Sequence, residues 1–144
     1  MSKSLQDKII KFTKYWFPAI VWAFVIYSFS SNPTGRASEI HWEDFVIKKS
    51  AHLFVYSVLT VLLYRAFYNY QLGEKLSAKY TLIVNVLYAI SDEFHKGFTP
   101  GRDPTLRDIF IDSFAIIVVL YLIIKYLPKA PKAIKAWAKK FEIA

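Results

Sequence analysis

Apolar residues fall into long runs separated by short polar segments, and the lengths of those runs set the first expectation. Residues 12–30 (FTKYWFPAIVWAFVIYSFS), 51–68 (AHLFVYSVLTVLLYRAFY) and 109–127 (IFIDSFAIIVVLYLIIKYL) each approach the roughly 20 residues that a helix needs to cross a bilayer. A further run, 80–90 (YTLIVNVLYAI), is shorter and is interrupted by Thr81 and Asn85. At about 1.5 Å per residue it covers about half the hydrocarbon thickness. To cross, its helix must continue through Ser91, Asp92 and Glu93 to about Phe98, which puts both acids roughly a turn or more below the boundary. The pattern predicts an all-α polytopic membrane protein: a four-transmembrane-helix bundle with spans near 12–30, 51–68, 78–98 and 109–127, short loops and basic amphipathic termini. Residues 1–127 form the membrane domain and 128–144 a basic cytoplasmic tail. The alternative for 80–98 is a soluble amphipathic or re-entrant helix.

The polar positions within these helices are also periodic. Asn85, Tyr88, Asp92 and His95 are spaced +3, +4, +3 and share a face; Lys49, His52 and Tyr56 do the same on the second helix, and Asp108 and Asp112 on the fourth. Tyr27 and Ser30 give the first helix a weaker polar face at the same end. A charge at the centre of a membrane helix costs roughly 3 kcal/mol on insertion scales, so such groups turn inward and find partners. The expectation is an outward-facing pocket that gathers Asp92, Glu93, His95, Lys49, His52 and Asp112, capped by Arg102 and Arg107. The segment TPGRDPT, with two prolines and a glycine, reads as a tight turn that fixes Arg102 over it. Thr105 reads as a helix N-cap with Asp108 as its capping-box acid. Lys48, Lys96 and Asp103 read as solvated boundary charges, and Tyr56 and Tyr88 serve packing as readily as function. A purely structural ion-pair network is the rival to a ligand pocket.

Composition narrows the class. The 144 residues are 55% hydrophobic and 18% aromatic, beyond an ordinary soluble domain. The absence of cysteine excludes disulfides and thiolate metal sites. No cofactor or metal is expected, since a few carboxylates without a fixed backbone frame make a poor metal site. The formal charge of +8 suits anionic lipid; no Gly-rich loop or nucleic-acid signature accompanies it. No small-residue cleavage site follows the first run, so no cleaved leader is expected. With four spans and an inner N-terminus, 13 of the 19 Lys and Arg residues fall inside, and 8 of the 11 acids fall outside. Both termini are therefore expected in the cytoplasm. The segment NYQLGEKLSAK reads as an inner solvated turn. Pro33 and Gly35 turn the first outer loop, with Ile40, Trp42 and Phe45 along the interface. Ile134, Trp137, Ala138 and Phe141 recur at i, i+3, i+4, i+7 with lysines opposite, a helix suited to an anionic leaflet.

The strings KKSAHLFVYSVLTVLL and YAISDEFHKGFTPGRDPTLRDIFIDSFA resemble the VanZ-like family over about residues 15–127. The matching positions are Lys49, His52, Tyr56, Asp92, Glu93, His95, Phe98, Pro100, Gly101, Arg102, Asp108 and Asp112. Lys96 departs from a Gln found in many members, and Ala115 stands where a Gly usually follows the last acid. The family is named for an accessory protein linked to teicoplanin resistance, so the resemblance implies a bacterial cytoplasmic-membrane protein with an envelope role, without supplying a reaction. The leading expectation is a pocket of Lys49, His52, Tyr56, Asp92, Glu93, His95, Arg102, Arg107, Asp108 and Asp112 that binds or modulates a lipid-headgroup, lipid-linked or glycopeptide-type ligand, with anionic or phosphate-bearing membrane lipids as partners. A membrane lipid-phosphate hydrolase, with catalytic candidates His52, His95 and Asp92, is one alternative; a small proton-linked transporter, workable in a homodimer, is another.

Overall fold

The computed structural model describes residues 3–32, 41–102 and 104–143. The turn expected at Pro33 and Gly35, and Asp103, lie outside the described residues. The chain forms α1 (Lys3–Ser30), α2 (His41–Tyr68), α3 (Gly73–Lys96), α4 (Leu106–Tyr121) and α5 (Lys132–Lys140), and the described residues contain no strand. The α2 helix starts ten residues before the apolar run at 51. Lys48 and Lys49 end the hydrophobic pattern but are good helix formers, so they do not end the helix. It packs against α1, α3 and α4; α3 and α4 also pack together, while α1 touches α3 only lightly. Ala19, Ala89 and Ala115 are nearly fully buried in the core, where small side chains let backbones approach.

The bundle inverts the usual distribution of polarity. Phe24, Phe29, Phe94, Phe98, Phe110 and Phe114 are all exposed, whereas Ser77, Thr81, Asn85, Asp92, Glu93 and Lys96 on α3 are buried. So much exposed aromatic surface around a polar interior suits lipid, not water. Three helices, Lys3–Ser30, Phe45–Tyr68 and Leu106–Lys129, are long and apolar enough to cross a membrane, and α3 is not among them.

Two prolines leave marks. Pro18 has no N–H for the carbonyl of Lys14, and Arg65 on α2 occupies that carbonyl with Nη1 at 3.3 Å. Before Pro128 the fourth helix widens into a π turn (Leu122–Tyr126), closed by Leu127 N–H on Leu122 O, then tightens into a 3₁₀ turn (Leu127–Lys129). The chain then reverses, and α5 docks back on the end of the bundle where α1 begins. Ala138 and Ile143 are buried there. Glu142 receives Lys14 Nζ at 2.6 Å and Arg65 Nη2 at 3.0 Å, and Arg65 Nε reaches Phe141 O at 2.8 Å. The tail is a tethered helix, with Ile134, Trp137 and Phe141 left on its exposed face.

Candidate functional site

At the opposite end lies a cavity of about 250 Å³ between α1, α2, α3 and the α3–α4 turn. The turn follows directly from its sequence. Arg102 N–H bonds Thr99 O at 3.1 Å, and Gly101 takes φ +77°. Pro at the second and Gly at the third turn position, with positive φ at the glycine, make a type II turn. Arg102 leaves this turn facing α1, donating Nε to Asn32 O at 3.0 Å and Nη2 to Phe29 O at 2.6 Å. These carbonyls close the C-terminal end of α1, where a cation meets the negative end of the helix dipole. Arg102 lines the cavity while clamping two elements.

Thr105 is the N-cap of α4, its side chain accepting from Asp108 N at 3.3 Å. In a capping box the acid at Asp108 would return a bond to the Thr105 N–H. That N–H goes instead to Glu93 Oε2 at 2.9 Å, which leaves Asp108 to pair with Lys49 of α2. Glu93 also holds Lys96 Nζ at 2.5 Å, and the same ammonium reaches Asp92 Oδ2 at 3.1 Å. Lys96 is therefore no solvated boundary charge. It is only 3% exposed, because its i−4 and i−3 neighbours are both acids facing inward.

His52 presents Nδ1 to Asp112 at 3.2 and 3.4 Å, and Asp112 is fully buried. A carboxylate on Nδ1 holds the proton there and leaves Nε2 as the basic nitrogen. Tyr56 stacks near His52, with ring centroids 6.4 Å apart.

Of the residues singled out in sequence, Lys49, His52, Tyr56, Asp92, Arg102 and Asp108 line this cavity. Asp112 and Glu93 stand behind it, holding His52, Lys96 and the α4 N-terminus. His95 and Arg107 point elsewhere. His95 lies against the Tyr27 ring, centroids 4.5 Å apart and tilted by 33°, with Nε2 on Ser31 Oγ at 3.0 Å; Arg107 lies over the Phe45 ring at 4.9 Å. Tyr88 ties α3 to α1 through Ala23 O at 2.6 Å. Lys48, Lys96 and Ser30 also line the cavity: the two lysines, expected as solvated boundary charges, and Ser30, expected on the weak polar face of α1 at this end. The spacing of Lys96 from Asp92 and Glu93 carried that signal; Lys48 carried none.

Three buried side-chain atoms among the cavity residues have no hydrogen-bond partner among the described residues: Ser30 Oγ, Tyr56 Oη and Asp92 Oδ1. Four cations (Lys48, Lys49, Lys96, Arg102) and two carboxylates (Asp92, Asp108) line the walls, with the carboxylates of Glu93 and Asp112 buried directly behind. Among the described residues no three metal-ligating side chains come together.

An apolar exterior, a polar interior and a charged cavity at one end define a small α-helical membrane protein. The sequence model of the VanZ/LLP1 family matches residues 8–127. The chain belongs to that family. No curated protein and no solved structure matches it.

Proposed function

We propose that the cavity binds the headgroup of a lipid or lipid-linked molecule that carries both a phosphate or carboxylate and a hydroxyl or amine. The carrying observation is the set of atoms without a partner among the described residues, Ser30 Oγ, Tyr56 Oη and Asp92 Oδ1, on one cavity whose walls also carry lysine and arginine side chains. Buried polar atoms are nearly always satisfied, so a group of orphans on one cavity suits a polar ligand. The anion meets Lys49 and Lys48, while Asp92 Oδ1 accepts from the ligand's hydroxyl or amine. The volume, about 250 Å³, suits a headgroup. Drug-sized ligands occupy upward of roughly 300 Å³, so an entire glycopeptide antibiotic does not fit.

In this reading α3 crosses the membrane as a fourth span. Its exposed residues Tyr80, Ile83, Val84, Leu87, Ile90 and Phe94, continued by Phe98 just beyond the helix, form one apolar stripe opposite the buried polar face. The 17 residues from Tyr80 to the end of α3 at Lys96 make about 26 Å at 1.5 Å each, close to the hydrocarbon thickness. The charge bias then sets the termini in the cytoplasm and opens the cavity outward. The test is native mass spectrometry of co-purified lipids. Tyr56→Phe removes a hydroxyl that makes no hydrogen bond among the described residues, so the fold is retained and the co-purified lipid is lost. An unchanged lipid set overturns the proposal.

The Asp112–His52 pair favours one second reading, a lipid-phosphate hydrolase. His52 Nε2, oriented by Asp112, attacks phosphorus, the alkoxide leaves with a proton from solvent, and water cleaves the phosphohistidine. Turnover of phosphatidic acid that disappears in His52→Gln supports it; no turnover by the natural chain removes it.

A further inference from the structure

A second cavity lies at the other end of the bundle, where α5 folds back over α2 and the π turn. Its volume is about 290 Å³. Leu127, Ile143 and Ile123 form an apolar wall, and Tyr64 and Tyr68 form an aromatic one, their rings stacked 5.7 Å apart at 15°. Lys135 and Lys139, four residues apart on α5, stand at the rim. Among the described residues neither ammonium forms an ion pair, and neither tyrosine hydroxyl forms a hydrogen bond.

The local acids do not neutralise them. Glu142, just beyond the C-terminal end of α5, is engaged by Lys14 and Arg65. Glu74, also on the cavity, stands in the first turn of α3, where the positive end of the helix dipole meets it. Two ammonium groups against one carboxylate leave the rim positive. The same clamp that occupies Glu142 fixes α5 in place, so the lysines are held over the opening.

We propose that this cavity is a specific site for an anionic phospholipid, distinct from the charged cavity at the opposite end. The phosphate sits between Lys135 and Lys139 and accepts from the hydroxyls of Tyr64 and Tyr68. The glycerol and first methylenes lie on Leu127 and Ile143, with the chains continuing into the bilayer. A free inorganic anion matches the rim but leaves the apolar wall unused; an amphiphile matches both.

The test uses the full chain in an uncharged detergent, with native mass spectrometry read against short-chain phosphatidylglycerol, phosphatidylcholine of the same chains, and inorganic phosphate. Lys135→Gln/Lys139→Gln weakens phosphatidylglycerol binding by about tenfold, whereas Lys129→Gln/Lys132→Gln, the same charge loss off the cavity, leaves it unchanged. Both double variants keep the opposite cavity intact, so a loss confined to the first reports this site. The proposal is overturned if the two variants behave alike, if phosphatidylcholine binds as well as phosphatidylglycerol, or if inorganic phosphate displaces the lipid at equal concentration.

Discussion

At the scale of single residues, Lys96 and Glu93 do the most to assemble the charged end. One ammonium serves two buried carboxylates, and one of those carboxylates also closes the α4 N-cap. Removing one partner of a buried ion pair leaves uncompensated charge and costs roughly 3–5 kcal/mol. Lys96→Met is therefore expected to lower the denaturant-unfolding free energy in detergent by about that much, far more than the same change at exposed Lys132. Gly101→Ala forces a side chain into the left-handed region at φ +77°, although nothing crowds its Cβ. The expected loss is about 1 kcal/mol in the same assay. These residues were unevenly legible. Thr105 as a cap and the TPGR turn follow from local chemistry, within four residues. The bond from Thr105 N–H to Glu93 joins positions twelve apart across a turn, and no periodicity encodes it. Lys96 read as boundary charge because a helix end beside polar loop looks solvated until a packed neighbour covers it.

At the scale of elements, the fold-back of α5 distinguishes the structure most from its sequence pattern. The i, i+3, i+4, i+7 stripe was visible, but which member it buries was not. Ala138 goes inward while Ile134, Trp137 and Phe141 stay out. What docks the element is Glu142, an acid outside the stripe. Its hydrogen bond with Lys14 holds the carboxyl below its ordinary value of 4.5, with Arg65 and Tyr15 acting in the same direction. A depressed carboxylate pKa means that the docked state is favoured fully above that ordinary value and loses the contribution as pH falls through the lower, docked-state value. Backbone-amide protection over residues 132–143, corrected for intrinsic exchange, is accordingly expected to be high at pH 6 and to fall below pH 4. In Glu142→Gln the protection is already reduced at pH 6, with the pH step abolished.

For the whole molecule, the long helices and the polarity inversion were legible because lipid imposes a period-3.6 sorting on each helix. Three helices meet the length and hydropathy needed to cross. The α3 helix falls short because averaging along it mixes an apolar stripe with a buried face of Ser77, Thr81, Asn85, Asp92 and Lys96. A bundle that hides ionisable groups from lipid must carry them on some helix, and that helix scores poorly by composition. The gathering of six candidate residues on one cavity follows from polar faces on α2, α3 and α4 that share one end. The exclusion of His95 and Arg107 depends on helix rotation, which spacing on a single helix does not fix.

The central claim, that α3 crosses and carries its buried charges to the outer end, is open to one direct measurement. The chain has no cysteine, so single cysteines at Gln71, before α3, and at Pro100, after it, report cleanly. Labelled in intact cells with a membrane-impermeant thiol reagent, the cysteine at position 100 is expected to react, and that at 71 only after the membrane is opened. Equal labelling of both positions from one side contradicts the account.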